Sequence, residues 1–311
     1  MIEISHLVRK FGQLNAVDDL SLQVMPGEVL GFLGPNGAGK STTMKILTGY
    51  LRPSSGRVLI DGIDIEKNPL AIKRQIGYLP EGAPAYEEMT VRGFLKFIAA
   101  LRGYKGAAIE ERLSGVVAAM SLDTVLDQRI EVLSKGFKRR VGLAQAILHD
   151  PRILILDEPT DGLDPNQKHQ VRELIRGLSK DKIIIISTHI LEEVTAVCTR
   201  AVIISNGKIL EDCEPDTLET QSKYHGAITV TSQSAADMHR LLERAQTLEN
   251  VASVLSVEHE CQLTLFASDR EKSLLLPVAR LLDELGIVAE ILQEKGRLDE
   301  VFRNITEAGG V

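Results

Sequence analysis

Cysteine is scarce in this 311-residue chain: Cys198, Cys213 and Cys261 stand far apart and share no metal-ligand spacing. That excludes a disulfide framework and a thiolate metal cluster, and it fits a reducing compartment. Long hydrophobic runs are also missing. The longest, such as Ile183-Ile184-Ile185-Ile186, are strand-sized, whereas a bilayer span takes about 20 apolar residues. Neither a basic start nor a long apolar stretch marks the N-terminus as a secretory signal. The chain is therefore expected not to cross a membrane by itself. Nor is positive charge in excess: 36 Lys and Arg stand against 43 Asp and Glu, a net of -7, which argues against a nucleic-acid-binding footprint.

What is present is an ordinary globular balance, 44% hydrophobic and 25% charged, with material for a core. At roughly 150 residues per domain the length suggests about two domains. The charge is unevenly placed. Residues 1–215 hold 27 basic and 27 acidic side chains, and residues 216–311 hold 9 and 16. The whole negative charge thus lies in the last third, which hints at a boundary.

The first two thirds alternate apolar strands with helices. Val29–Leu33, Ile153–Leu156, Ile183–Ile186 and Ala201–Ile204 are continuously apolar, as strands of a parallel sheet covered on both faces are. A helical block interrupts them. Phe94, Leu95, Ile98 and Leu101, then Leu113, Val116, Val117 and Met120, recur at helical spacing between Val91 and Leu122. The last third reads β-α-β-β-α-β, with strands at Ile228–Val230, Val251–Val257, Gln262–Phe266 and Ile287–Leu292. Its helices are expected at Ala235–Ala245 and Glu271–Leu285. That order suggests a small α+β, ferredoxin-like domain, closed by a short helix at Leu298–Ile305.

Gly34-Pro35-Asn36-Gly37-Ala38-Gly39-Lys40-Ser41 matches G-x-x-x-x-G-K-[ST], and it lies between an apolar strand and a helix. Its glycines let backbone N–H groups turn toward phosphate oxygens, and the helix N-terminus adds partial positive charge there. Lys40 supplies a point charge to the β- and γ-phosphates, the Ser41 hydroxyl can ligate Mg²⁺, and Thr42 can donate to the α-phosphate. Asp157 and Glu158 end an apolar strand, where carboxylates point into the ligand crevice. Asp157 would hold Mg²⁺ through water, and Glu158 would polarise the attacking water. His189 follows the next apolar strand and is expected within reach of the γ-phosphate. No guanine-reading N-K-x-D pattern is present.

Over about residues 1–215 these motifs resemble the ATP-binding-cassette (ABC) ATPases. Leu133-Ser134-Lys135-Gly136-Phe137 stands where the family carries its L-S-G-G-Q signature, and Asp161-Gly162-Leu163-Asp164 matches its D-loop. The resemblance implies an α/β P-loop ABC ATPase domain over 1–220, with a helical subdomain inserted at about 86–145. The accessory α+β domain would occupy 225–311. It also implies that Phe11 stacks on adenine in place of the usual Tyr, with Val17 beside the nucleotide. Glu81, where the family has Gln, would accept from a metal-bound water. Ser134, Lys135 and Gly136 would serve the ATP of an opposing copy, with Asp164 at the same junction, so that two chains bury two Mg-ATP head to tail.

Tyr78-Leu79-Pro80-Glu81, Leu133-Ser134-Lys135-Gly136 and Leu298-Asp299-Glu300-Val301-Phe302 are similar to the ABC-2 branch, closest to the gliding-motility-associated ATPase type. That branch implies the cytoplasmic ATPase subunit of an exporter, held on the inner face of the membrane by a separate permease. The helical block would receive a permease coupling helix, with Tyr86–Phe94 supplying exposed apolar positions. The competing expectation is a soluble ABC ATPase that acts on ribosomes or DNA. Ribosome-acting members usually carry two cassettes and DNA-repair members long coiled coils; this chain has one phosphate loop and a short helical insertion.

Overall fold

A strand that is apolar at every position needs cover on both faces, and the computed structural model supplies it. It describes residues 1–257, 259 and 261–308. The chain divides into two units, Met1–Pro215 with residues 306–308, and Asp216–Ile305. In the first, six strands lie in the order Lys208–Cys213, Arg200–Ser205, Val29–Leu33, Ile183–Thr188, Ile153–Asp157 and Ile76–Leu79. All neighbours are parallel except the antiparallel pair at the Lys208–Cys213 edge.

Alternation assigns each strand residue to one of two cores. Leu30, Phe32, Ile153, Ile155, Ile183 and Ile185 face a core shared with Met44, Ile46 and Leu47 of the helix Lys40–Leu47. A four-stranded antiparallel sheet that includes Ile2–Phe11 and Leu14–Val24 closes that side. Leu154, Leu156, Ile184 and Ile186 face the other core, with the helices Val91–Leu101, Ala107–Met120 and Lys135–Ile147. Burying a Leu or Ile fully contributes about 1.5–3 kcal/mol, so both faces anchor the sheet. The parallel register sets Leu33 beside Thr188 and Asp157 beside Ser187, so the C-terminal strand ends gather at one edge.

The helical block is two helices, Val91–Leu101 and Ala107–Met120. Thr90 caps the first by accepting from Gly93 N at 3.1 Å. Within Tyr86–Phe94 the expected apolar exposure belongs to Tyr86. Val91 and Phe94 are buried in the core instead, because the helix turns them inward. Lys138, Arg139 and Arg140 follow one another on the helix Lys135–Ile147 without forming an exposed basic face. Arg139 and Arg140 are buried, and Arg140 stacks on Phe137 and donates to the Met120 and Ser121 carbonyls.

In the second unit the strands order as Val251–Val257, Gln262–Ala267, Ile228–Thr231, Glu290–Gln293, all antiparallel. This is the strand order of a split βαβ fold. Helices Ala235–Ala245 and Leu275–Leu285 pack over Ile228, Val230, Leu263 and Leu265. The second helix starts at Leu275 rather than Glu271, because Asp269 forms a turn with Glu271 N and Lys272 N. Gly286, with φ of 62°, ends it. Ile287 is buried in the core as part of the connection, and the last strand begins at Glu290. The final helix runs to Ala308, beyond the expected Ile305.

Candidate nucleotide-binding site

The loop after Val29–Leu33 is confined by backbone on two sides. A Cβ on Gly34 would lie 2.4 Å from the Ile204 carbonyl oxygen, and one on Gly39 would lie 2.3 Å from that of Ala16. Gly39 also holds φ of 107° immediately before the helix that Lys40 opens. Pro35, Asn36 and Gly37 form the exposed crest. Lys40 is buried at the helix start, where its Nζ donates to the carbonyls of Gly34 at 2.6 Å and Pro35 at 3.1 Å. Burial lowers its pKa, and Glu158, Asp157 and Glu81 oppose that shift. The ammonium thus sits amid three carboxylates and two carbonyls.

Phe11, Leu14, Ala16, Glu81 and Glu158 line one cleft of about 390 Å³ together with the loop residues from Asn36 to Thr42. Phe11 is 46% exposed, with the Arg9 guanidinium 4.5 Å from its ring centroid. Val17 does not reach the cleft: it is fully buried in the core behind the loop, and Leu14 and Ala16 form that wall. Alternation along Leu14–Val24 was the signal that could have found them.

Asp157 is 1% exposed at its strand end. Ser187 Oγ donates to its Oδ1, and Ser41 Oγ lies 3.4 Å from the same atom. Its Oδ2 is buried with no partner among the described residues. An orphaned carboxylate oxygen beside a hydroxyl is an all-oxygen donor set of the kind that a hard divalent cation takes. The residues therefore fit Mg²⁺.

Glu158 adopts φ of 52°, an uncommon left-handed conformation for a residue with a side chain. Its N–H donates to the Ser187 carbonyl at 3.0 Å. His189 Nδ1 donates to Glu158 Oε1 at 3.0 Å. Burial pushes the Glu158 carboxyl up from its usual range, while the His189 hydrogen bond and the His189 and Lys40 charges pull it back. With Nδ1–H engaged, Nε2 of a neutral ring is an acceptor; donation to phosphate requires a second proton.

The signature residues sit elsewhere. Ser134 caps the helix Lys135–Ile147, its Oγ accepting from Phe137 N at 3.4 Å. Ser134 and Lys135 are exposed, whereas Gly136 is buried against Gln167. Asp164 caps the helix Pro165–Leu178, accepting from Gln167 N at 2.9 Å. None of these four lines the cleft. Two further residues escaped the sequence reading. Arg139, buried one turn into the signature helix, places Nη2 3.6 Å from Asp161 Oδ2. Buried Glu193 accepts from the hydroxyls of Thr160 and Thr188, which ties the segment after the acids to the strand end before His189.

Comparison with known proteins covers the same part of the chain. The ABC transporter family model matches residues 17–161. The probable multidrug ABC transporter ATP-binding protein YbhF of Escherichia coli K12 is 35% identical over 223 residues, 71% of this chain but only 38% of that protein. The Nod factor export ATP-binding protein I of Rhizobium etli is 34% identical over 218 residues, 70% of this chain and 69% of that protein. Among solved structures, the ATP-binding subunit of an ABC transporter superposes with a TM-score of 0.66 at 33% identity. It covers 71% of this chain and 92% of that one. A phosphate loop and an acid pair on one sheet edge, beside these relatives, therefore have a plain reading: the chain belongs to the ATP-binding proteins of ABC transporters, a family of ATPases.

Proposed function

We propose that this chain binds Mg-ATP in the cleft, pairs head to tail with a second copy, and drives a separate ABC-2-type permease as the ATPase subunit of an exporter. The carrying observation is that the cleft gathers Phe11, the phosphate loop, Glu81 and Glu158 but none of Ser134, Lys135, Gly136 or Asp164. One chain thus offers a half-site, and an exposed helix cap whose backbone N–H groups suit a phosphate. A second copy supplies the missing half by two-fold symmetry.

In this reading Lys40 exchanges its own loop carbonyls for the β- and γ-phosphates. Phe11 offers a ring face to adenine. Ser41 and Asp157 hold Mg²⁺, with Glu81 on a bound water, and the ion when bound offsets phosphate charge. Glu158 accepts the proton of the attacking water, with His189 orienting it. Closure of the pair is the two-state element that the γ-phosphate biases.

The Rhizobium relative is named for Nod factor export, and export comes here as part of this reading. The permease would hold the chain on the cytoplasmic face of the membrane. No helix among the described residues is long and apolar enough to cross one. A groove of about 530 Å³ presents Tyr50, Leu70 and Leu101, exposed by 79%, 75% and 68%, beside Lys73 and Arg102. An amphipathic coupling helix of the permease fits such a surface.

The test is ATP-dependent dimerisation followed by light scattering. Glu158→Gln should hold ATP, lose turnover by about 10²–10⁴-fold, and accumulate as a dimer. Adding Ser134→Arg should leave ATP binding intact and keep the chain monomeric. A dimer that persists with Arg at 134 overturns the shared site.

A further inference from the structure

The Asp216–Ile305 unit carries most of the chain's excess negative charge, and some of its cations are held in ion pairs. Arg240 bonds Asp237, Lys272 bonds Asp269 and Arg297 bonds Glu294. Lys223, Arg270 and the His225 ring are placed differently. Among the described residues none of the three has a carboxylate within ion-pair distance, although the unit is rich in acids. All three line one cavity of about 450 Å³, and no acidic residue joins them there. Two cations and an imidazole thus converge on one space.

The fold explains where the cavity lies. Ser253 pairs with Phe266, and Leu255 with Thr264, on adjacent antiparallel strands. Alternation turns these side chains to the sheet face opposite Leu263 and Leu265, which face the helices. Phe266 packs on Tyr224 at 5.2 Å between centroids, and Leu255 remains 42% exposed, so the floor is apolar. The cationic groups come from the segment before Ile228 and from the turn after Ala267. The turn is fixed: Asn250 Oδ1 accepts from Ser268 Oγ and from Asp269 N, both at 2.8 Å, and Arg270 Nη1 donates to the Thr220 carbonyl at 3.5 Å. His225 Nδ1 donates to the Lys295 carbonyl, which leaves Nε2 as the second polar atom of the ring.

We propose that this cavity is a binding site for a small organic anion, one carboxylate or phosphate on a short apolar body. Lys223 and Arg270 would meet the charged end, and Phe266 and Leu255 the apolar end. The volume falls within the roughly 300–1,000 Å³ of small-molecule sites, and an apolar floor with a few convergent polar groups is their usual lining. The site does not depend on the nucleotide reading, since it lies wholly in the other unit.

Titration calorimetry on the full chain tests it, with the phosphate loop saturated by Mg-ADP so that it cannot take the probe. The probes are 4-phenylbutyrate and phenyl phosphate, with benzyl alcohol as the uncharged control. At least one anionic probe should bind, benzyl alcohol should not, and rising salt should weaken the binding. Arg270→Gln and Lys223→Gln should each reduce probe affinity at least fivefold, with Mg-ADP affinity and melting temperature unchanged. Leu255→Asp should abolish probe binding from the apolar side. Absence of binding by both anionic probes, or binding that neither charge substitution weakens, overturns the site.

Discussion

Glu158 combines two costs at one position: a left-handed backbone and a carboxylate held out of water. Both suit a base that must keep a fixed direction. A base works ionised, so activity should fall as pH drops through its raised pKa. The acid limb of kcat is therefore expected at higher pH than for an ordinary Glu. His189→Ala removes a hydrogen bond and a charge that favour the ionised form, so its acid limb should move further up in pH. A pH-rate profile of the two proteins checks the direction, and an unmoved limb would detach His189 from Glu158. Lys40→Ala should weaken nucleotide binding by about 1.5–3 kcal/mol, the worth of a charge-assisted hydrogen bond, as read by calorimetry. These residues were legible in sequence because each has a fixed neighbour in the chain. Val17 faces the core rather than the cleft because a strand alternates its faces, and only the pairing shows which face is inward.

At the scale of elements, the phosphate loop owes its shape to close approach as much as to glycine freedom. Gly39→Ala should pay twice, in φ and against the Ala16 carbonyl. Gly37→Ala, also at positive φ but with nothing within 4 Å, should cost only the left-handed penalty of about 1–2 kcal/mol. Nucleotide titration and melting curves should therefore rank Gly39→Ala as the worse by a clear margin; equal effects would show that the contact does not shape the loop. The signature helix shows what a one-dimensional pattern hides. Charge alone would leave Lys138-Arg139-Arg140 in water. Instead Lys138 pairs with Glu87 at 2.9 Å, Arg140 serves carbonyls, and Arg139 turns in toward Asp161. Burial of a cation is decided by what the neighbouring helices leave open, and no local spacing encodes that.

Across the whole molecule, acid stability should report on His149. Its Nε2 donates to the Ile76 carbonyl at 3.1 Å, and its Nδ1 is buried without a partner among the described residues. Burial, with Arg102 nearby, pushes its pKa down to about 4, against about 6.5 in an unfolded chain. The native state refuses a proton that the unfolded state accepts. Stability from this group is thus complete above pH 6.5 and is lost as pH falls toward 4, by about 2 kcal/mol at pH 5. His149→Phe should flatten the wild-type decline between pH 7 and 5 in denaturant titrations; an identical slope would exclude His149 as its source.

Four of the six strands of the larger sheet, the phosphate loop, the acid pair and the β-α-β-β-α-β order of the second unit were legible in the sequence, because periodicity and turn chemistry are local. The excess negative charge counted beyond residue 215 falls mostly in the unit Asp216–Ile305. Only the tertiary structure decided which side chains share a space. It moved Phe94 and Arg139 inward, set Leu14 and Ala16 in the cleft wall, and left Ser134 outside it. It also gathered Lys223, His225 and Arg270 from segments up to 47 positions apart around one cavity. The reason is common to all of these. Desolvation and proximity depend on chain segments distant in sequence, and only packing brings those segments together.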